Sequence, residues 1–306
     1  MAEELFGRGR DAAPDLLPRP PAVVGAWRAL TARRRHALGL AMVAGLVLMA
    51  LVGPLLAPYD PIAQQLSDQL QPPSLHHWLG TDQFGRDILS RILAGARLAM
   101  LVGLLADAVA LCFGSLLGLV AAFSRSWVDA VVMRVVDMLL AFPYLLLAMV
   151  VIAILGTGLT PAVIAIGVVY VPQFARLVRS AALAVREEQY VEAARALGVG
   201  RTGIVLRHAL PNVAPPAIAQ ATLLFGISIL EVAGLGFLGL GAQPPTPEWG
   251  TMLADSRTYV LTAWWLGAFP GLAIMISVLA FNLLGDAVRD AFDAGAPSRL
   301  ERDRGA

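Results

Sequence analysis

The chain contains no lysine; all 23 of its basic residues are arginine. That absence excludes a Walker A loop, G-x-x-x-x-G-K-[ST], whose ammonium reaches the β- and γ-phosphates of a nucleotide. Any ATP that drives this protein is therefore hydrolysed by a different polypeptide. Cysteine is almost as scarce. Cys112 stands alone among 306 residues, so neither an intrachain disulfide nor a thiolate metal cluster can form. The histidines are His36, His76, His77 and His208, and none sits in an H-E-x-x-H arrangement. On an extended chain the neighbours His76 and His77 point to opposite sides, which favours solvated loop histidines over a shared metal. Charge is low too, at 15% of residues where a soluble domain carries roughly 25%. A formal net charge of +1 offers no field for a phosphate backbone, so nucleic acid is not an expected partner.

What the chain has in abundance is apolar sequence. Hydrophobic residues make up 58% and the mean hydropathy is +0.70, values that exclude disorder and suit a polypeptide solvated by lipid. A helix needs about 20 apolar residues to cross the hydrocarbon core. Six segments serve: Ala37 to Leu56, Leu98 to Phe123, Val135 to Leu155, Pro161 to Val178, Pro215 to Leu240 and Trp264 to Leu284. The fourth is short and contains Pro172, which is expected to kink it. Arg33, Arg34 and Arg35 precede the first run, but its length and late start argue against a cleaved signal peptide. Residues 1–35, with Pro14, Pro18, Pro20 and Pro21 among charges, read as a disordered cytosolic tail.

Arginine placement orients the spans. With the N-terminus inside, seven Arg fall in the tail, two between the second and third spans, six between the fourth and fifth, and four at the C-terminus. Only Arg86, Arg91, Arg97 and Arg257 are then outside. The expectation is an all-α protein of the cytoplasmic membrane with six spans and both termini cytosolic. Residues 36–97 form the first transmembrane helix and an extracytoplasmic segment, 98–290 a core transmembrane domain, and 291–306 a cytosolic C-terminal tail. The outer stretch from Ala57 to Arg97 ends in helical apolar spacing around Ile88, Ile92 and Leu93. In the outer loop from Gly241 to Ala263, Trp249 and Tyr259, with Trp264 directly after it, are either interfacial anchors or a docking surface.

Gly234, Gly236 and Gly239 spell G-x-G-x-x-G, but they lie at the outer end of an apolar span without the preceding strand a dinucleotide site needs. Close approach between transmembrane helices is the better reading. Asp107 and Glu231 are ionisable residues within predicted spans and should not face lipid, which makes them candidates for the translocation path or for buried hydrogen bonding near it. Asp137, near the inner end of the third span, reads as interfacial.

The cytosolic loop between the fourth and fifth spans is the most informative segment. From Arg186 to Gly198 it carries Tyr190, Ala194 and Leu197 at i, i+4 and i+7, an amphipathic helix with Gly198 placed to end it. Ala193 and Ala194 offer a smooth surface for a partner. Gly200 allows a turn before a second short helix that includes Ile204 and Leu206 and stops at Pro211.

Glu192, Ala193 and Ala194, then Gly198, then Leu210 and Pro211, resemble the EAA signature of binding-protein-dependent ABC importer permeases. The family's usual Ile two residues before the Leu is His208 here. The stretch His77 to Asp87, the stretch Phe237 to Gly250 and the stretch Phe281 to Asp286 resemble motifs of the dipeptide, oligopeptide and nickel permease group. An N-terminal span with an outer segment ahead of the core is similar to the C-type subunit. The resemblance implies a type I ABC importer permease. It implies a heterodimer with a second permease, two ABC ATPase subunits and an extracytoplasmic substrate-binding protein. This chain would bind no cofactor, with ATP and Mg held by the ATPase partners. Tyr190, Glu192, Ala193, Ala194, Leu197, Gly198, Leu210 and Pro211 would form the ATPase-coupling loop. Di- or oligopeptides are the expected cargo, with nickel or another small solute as the alternative. A proton-coupled secondary transporter using Asp107 or Glu231 is the rival from another class.

Overall fold

The computed structural model describes residues 34–295, with side chains described through Phe292. The expected disordered tail lies outside the described residues except for Arg34 and Arg35, as does the C-terminal tail beyond Gly295. The described chain is almost wholly helical.

Helix α1, Arg34–Leu56, is 23 residues long. Helix α2, Ile88–Phe123, has 36 residues, about 53 Å of rise against a hydrocarbon core of ~30 Å. It starts ten residues ahead of the expected span, because the apolar spacing around Ile88 and Ile92 belongs to its own first turns. One helix therefore crosses residues 97 and 98. Asp87 caps it, accepting from the Ser90 amide at 2.8 Å.

The third expected span is not one helix. It is α3, Ser126–Ala141, and α4, Tyr144–Leu155, bent by 100°. Pro143 is the cause: its ring drives Phe142 out of the helical region to φ −82°, ψ 140°, and its missing N–H ends the ladder. Five helices are long and apolar enough to cross a membrane, or six if the bent pair counts as one.

Helix α5, Leu159–Arg186, runs on through Pro172 and past the expected inner end. It is the most enclosed span, with 61% of its apolar stretch buried. After it come α6, Gln189–Ala196, and α7, Arg201–Ile204. The expected stop at Pro211 does not occur. A π turn over Val205–Ala209 leads directly into α8, Leu210–Phe237, giving a single helical run from Arg201 to Phe237. The wider turn, in which the Leu210 amide bonds Val205 O, shifts the hydrogen-bond ladder just ahead of Pro211 and carries the helix past a residue that has no N–H to give. Helices α9, Trp249–Ser256, and α10, Trp265–Gly295, complete the described residues.

In the bundle α2 and α8 are central, α1 and α10 pack on one side and α5 with α4 on the other. The α2–α5 seam is the closest. A Cβ on Gly114 would come within 2.4 Å of Phe174 Cβ, and one on Gly118 within 2.6 Å of Ala175 O, so these two glycines let the backbones meet. On the other side Phe225 stacks on Phe281 with centroids 4.1 Å apart.

The outer segment is folded tightly onto this scaffold. Gln71 and Thr81 exchange hydrogen bonds, and the Trp265 indole donates to Thr81 O at 3.2 Å. Asp82 pairs with Arg86 at 2.6 Å and with Arg91 at 3.8 Å, and Arg91 also donates to Pro61 O. His77 is not solvated, as its sequence context had led us to expect. It is buried, bonded through Nδ1 to Asp87 at 2.9 Å and packed against Tyr59. Trp249 is not an interfacial anchor either. It is 2% exposed, with its indole donating to Ile92 O.

Candidate coupling and path sites

The inner loop is positioned from both sides. At the end of α5 the Arg186 guanidinium donates to Ala122 O, which ties the loop to the inner end of α2 at 2.8 Å. On the other side Tyr190 lies beside His208, and Asn212 donates to both the Tyr190 hydroxyl and His208 O. Between these anchors α6 ends in a Schellman motif: the Gly198 amide bonds Arg195 O at 2.9 Å and the Val199 amide bonds Ala194 O at 3.0 Å. Gly198 has φ +84°, a conformation that a side chain disfavours, and open space around it.

The helix face differs from the stripe read in the sequence. Val191 and Ala194 turn inward and are buried, whereas Tyr190, Glu192, Ala193, Leu197 and Gly198 are turned outward. Of the two neighbouring alanines only Ala193 is presented to solvent. Leu197 is 86% exposed, and Leu210 and Pro211 are exposed at the start of α8. Val191 escaped notice because the Val191/Ala194 pair and the Tyr190/Ala194/Leu197 stripe both have helical spacing. A cleft of about 650 Å³ lies between α6 and the inner ends of α2 and α5, lined by charges of both signs: Arg186, Arg195, Arg201, Glu187 and Glu192.

The two intramembrane carboxylates are enclosed between helices. Asp107 on α2 accepts from Ser228 of α8 at 2.9 Å, and Glu231 on α8 accepts from the Tyr170 hydroxyl of α5 at 2.5 Å. Ser228 and Glu231, three apart, share one face of α8, so this helix is pinned to α2 and α5 at the same level. Each acid keeps one buried oxygen, Asp107 Oδ2 and Glu231 Oε2, without a protein hydrogen-bond partner.

A second set of charges lies between α3 and α5. Arg179 forms a two-pronged contact with Asp129 at 2.5 and 2.6 Å, and Arg176 meets Asp137 at 2.5 Å with both side chains about half exposed. Arg176, grouped with the inner loop in the sequence, is inside α5; the signal was its i, i+3 spacing to Arg179.

At the outer end of α8 the glycine triplet does not serve close approach between membrane-spanning helices: Gly234 has open space beside it, and the other two glycines have local uses. Gly239, at φ +78°, closes the helix in a second Schellman motif, its amide on Gly236 O and that of Leu240 on Leu235 O. Gly236 leaves room for Glu248, whose carboxylate caps α9 by accepting from the Gly250 and Thr251 amides, both at 2.8 Å. Burial pushes the Glu248 carboxyl up to about 7, against the pull of those two amides.

Comparison with known proteins agrees with this architecture. Residues 114–296 match the family model for the binding-protein-dependent transport system inner membrane component, and residues 23–73 match the N-terminal TM domain of oligopeptide transport permease C. The dipeptide transport system permease protein DppC of Alkalihalophilus pseudofirmus is 48% identical over 268 residues, 88% of each chain. The di/tripeptide transport system permease protein DppC of Pseudomonas aeruginosa is 47% identical over 87% of this chain and 90% of its own. The glutathione transport system permease protein GsiD of Escherichia coli is 42% identical over 94% and 98%. Among solved structures, the inward-facing MetNI methionine ABC transporter superposes with a TM-score of 0.54 at 20% identity, covering 65% of this chain and 95% of that one. An amino acid ABC transporter with histidines superposes with a TM-score of 0.52 at 15% identity, covering 65% of this chain and 92% of that one. The helical bundle is thus that of type I ABC importer permeases.

Proposed function

From its family, since the chain belongs to the binding-protein-dependent transport system inner membrane components with the N-terminal domain of C-type peptide permeases, we propose that it is the permease subunit of an ATP-driven importer of di- and oligopeptides. It works as a heterodimer with a second permease, with two ABC ATPase subunits inside and a substrate-binding protein outside. ATP and Mg are held by the ATPase subunits, and this chain carries out no catalysis. The arginine distribution supports a cytoplasmic-membrane location with both termini cytosolic.

The observation that carries this reading is the inner loop: a short helix anchored on its inward face by Val191 and Ala194 that presents Ala193, Leu197 and Gly198 outward. Leaving a leucine in water rather than burying it forgoes roughly 1.5–3 kcal/mol, a debt that an ATPase groove settles on docking. Closure of the ATPase dimer then moves α6 as a rigid body, and α5 and the long α7–α8 run transmit the motion. Asp107 and Glu231 serve in this scheme as braces that keep α2, α5 and α8 together behind the path. Peptide is the cargo in the names of the similar permeases, and it is adopted here on that ground.

The test is uptake of a labelled dipeptide by cells lacking this chain and by the complemented strain, with ATP depleted or the proton gradient abolished. Uptake restored by complementation, lost on ATP depletion and insensitive to a protonophore is the expected result. Protonophore-sensitive uptake that survives ATP depletion overturns the mechanism.

A further inference from the structure

Two neighbouring features of this chain leave polar groups at its surface. The first is the Asp137–Arg176 ion pair, with side chains 53% and 55% exposed. Depth along α5 can be counted from its ends. Gly158 at the outer end bonds Leu240 O, and Arg186 at the inner end bonds Ala122 O. Arg176 lies about 25 Å along the helix from Leu159 and about 15 Å short of Arg186, within the span of a ~30 Å hydrocarbon core. A charged side chain costs roughly 2.5–3.5 kcal/mol at the bilayer centre and less near its edge, where it snorkels; held in an ion pair on the surface between α3 and α5, Arg176 is directed at water or protein rather than at acyl chains.

The second feature is the break between α3 and α4. Phe142 and Tyr144 are 62% and 52% exposed, Pro143 between them is exposed too, and no side chain caps the first turn of α4. Uncapped amides are tolerated at membrane depth only where they line a water-filled cavity or are covered by protein. Asp137 is five residues from the break on α3, and the Arg176 guanidinium reaches the same place from α5.

We propose that the face bearing Asp137, Arg176 and the Phe142–Tyr144 break lines the aqueous translocation path, where the paired carboxylate and guanidinium meet the ammonium and carboxylate ends of a zwitterionic peptide. The ligand part rests on the peptide reading above. The chemistry is complementary: one fixed anion and one fixed cation, each about half solvated, can exchange partners with a passing dipole of the same two charges at little cost. Asp107 and Glu231, enclosed between α2, α5 and α8, have no such access.

The experiment uses the complete transporter in proteoliposomes with its binding protein. In a Cys112→Ser background, Met138→Cys, Phe142→Cys and Tyr144→Cys are treated with a charged, membrane-impermeant thiol reagent, and Leu51→Cys on the outward face of α1 serves as the lipid-facing control. Wild-type uptake of a labelled dipeptide is measured first; if it is absent, the peptide reading fails while thiol labelling still tests the path. The proposal expects labelling at 138, 142 and 144 at rates that differ between nucleotide-free and ATP-bound states, slowed by saturating dipeptide, with Leu51→Cys unlabelled. It further expects Asp137→Asn and Arg176→Gln to lower the maximal uptake rate at least about tenfold while leaving the binding protein's affinity for peptide unchanged. The exchanged pair Asp137→Arg with Arg176→Asp is expected to stay slow. No labelling at any of the three positions in either state, with dipeptide uptake intact, overturns the proposal. Full uptake by the exchanged pair does so as well, because a purely structural clasp works in either polarity.

Discussion

The outer cap and the inner loop of this protein treat polar and apolar groups in opposite ways. Outside, Asp82, Arg86, Arg91, His77 and Asp87 are all buried, and their charges are met by one another or by backbone carbonyls. Inside, the loop from α6 to the start of α8 leaves Leu197, Leu210 and Pro211 in solvent while its charged residues ring an open cleft. The cap is finished within the chain, and the loop is not. Buried ion pairs give little net stability but make removal of one partner costly, which suits a rigid platform. Exposed apolar groups suit a surface completed by another protein.

The largest effect is expected where the cap is cut. Asp82→Ala leaves Arg86 and Arg91 buried with their main counter-charge removed, and a loss of about 3–5 kcal/mol is expected, read as a lower unfolding midpoint of the detergent-solubilised protein. A midpoint unchanged in Asp82→Ala would dissolve the contrast, since the cap would then be no more self-sufficient than the loop.

Glu248 gives the same region a pH dependence. Its carboxyl is raised to about 7 in the folded protein from an ordinary 4.5, so the folded state holds the proton more tightly. The stability this confers is complete below about pH 4.5 and is lost as pH rises through about 7, amounting to at most about 3 kcal/mol. Unfolding midpoints measured from pH 4.5 to 8 are expected to fall over that window, and Glu248→Gln is expected to flatten the curve.

At the inner loop the expected effects on stability shrink and those on function grow. Gly198→Val forces a β-branched residue to φ +84° and is expected to cost about 1–2 kcal/mol locally, loosening the turn that ends α6. Its ATPase co-purification and transport are expected to fall while the unfolding midpoint of the isolated chain shifts by only a few degrees. Normal transport by Gly198→Val would remove this turn from the coupling machinery.

How much of this was legible beforehand depends on which physical signal each element carries. Apolar length located the spans, because the bilayer imposes that length without regard to tertiary detail. Pro143 was hidden in the same way that it acts: hydropathy over Val135 to Leu155 is unaffected by one imino acid, while the helix is broken by it. Pro211 acts in the opposite sense, since the π turn ahead of it lets the helical run continue where a proline is expected to stop it. Gly198 announced the end of α6 correctly because a left-handed cap is a local requirement. Which side of α6 is covered was not legible, since Val191 with Ala194 and Tyr190 with Leu197 form overlapping stripes and only packing chooses between them. The burial of His77 and Trp249 was equally out of reach, being decided by Asp87 and by the backbone of Ile92, neither of which composition can place beside them.

Leu197 draws the comparison to its finest point. It is 86% exposed and packs on nothing that its own helix needs, so Leu197→Ala is expected to change the stability of this chain by no more than about 0.5 kcal/mol. A leucine of the same size in the cap or bundle core would cost about 2–5 kcal/mol on the same truncation. If the loop is completed by the ATPase, the missing energy appears there. Affinity for the ATPase subunits, measured by titration of the reconstituted permease pair, is expected to weaken by about tenfold or more as the buried apolar area is lost. Equal affinity with and without the Leu197 side chain would mean that the solvent-facing side of α6 is ordinary surface, and docking would have to be sought among Glu192, Ala193 and the start of α8.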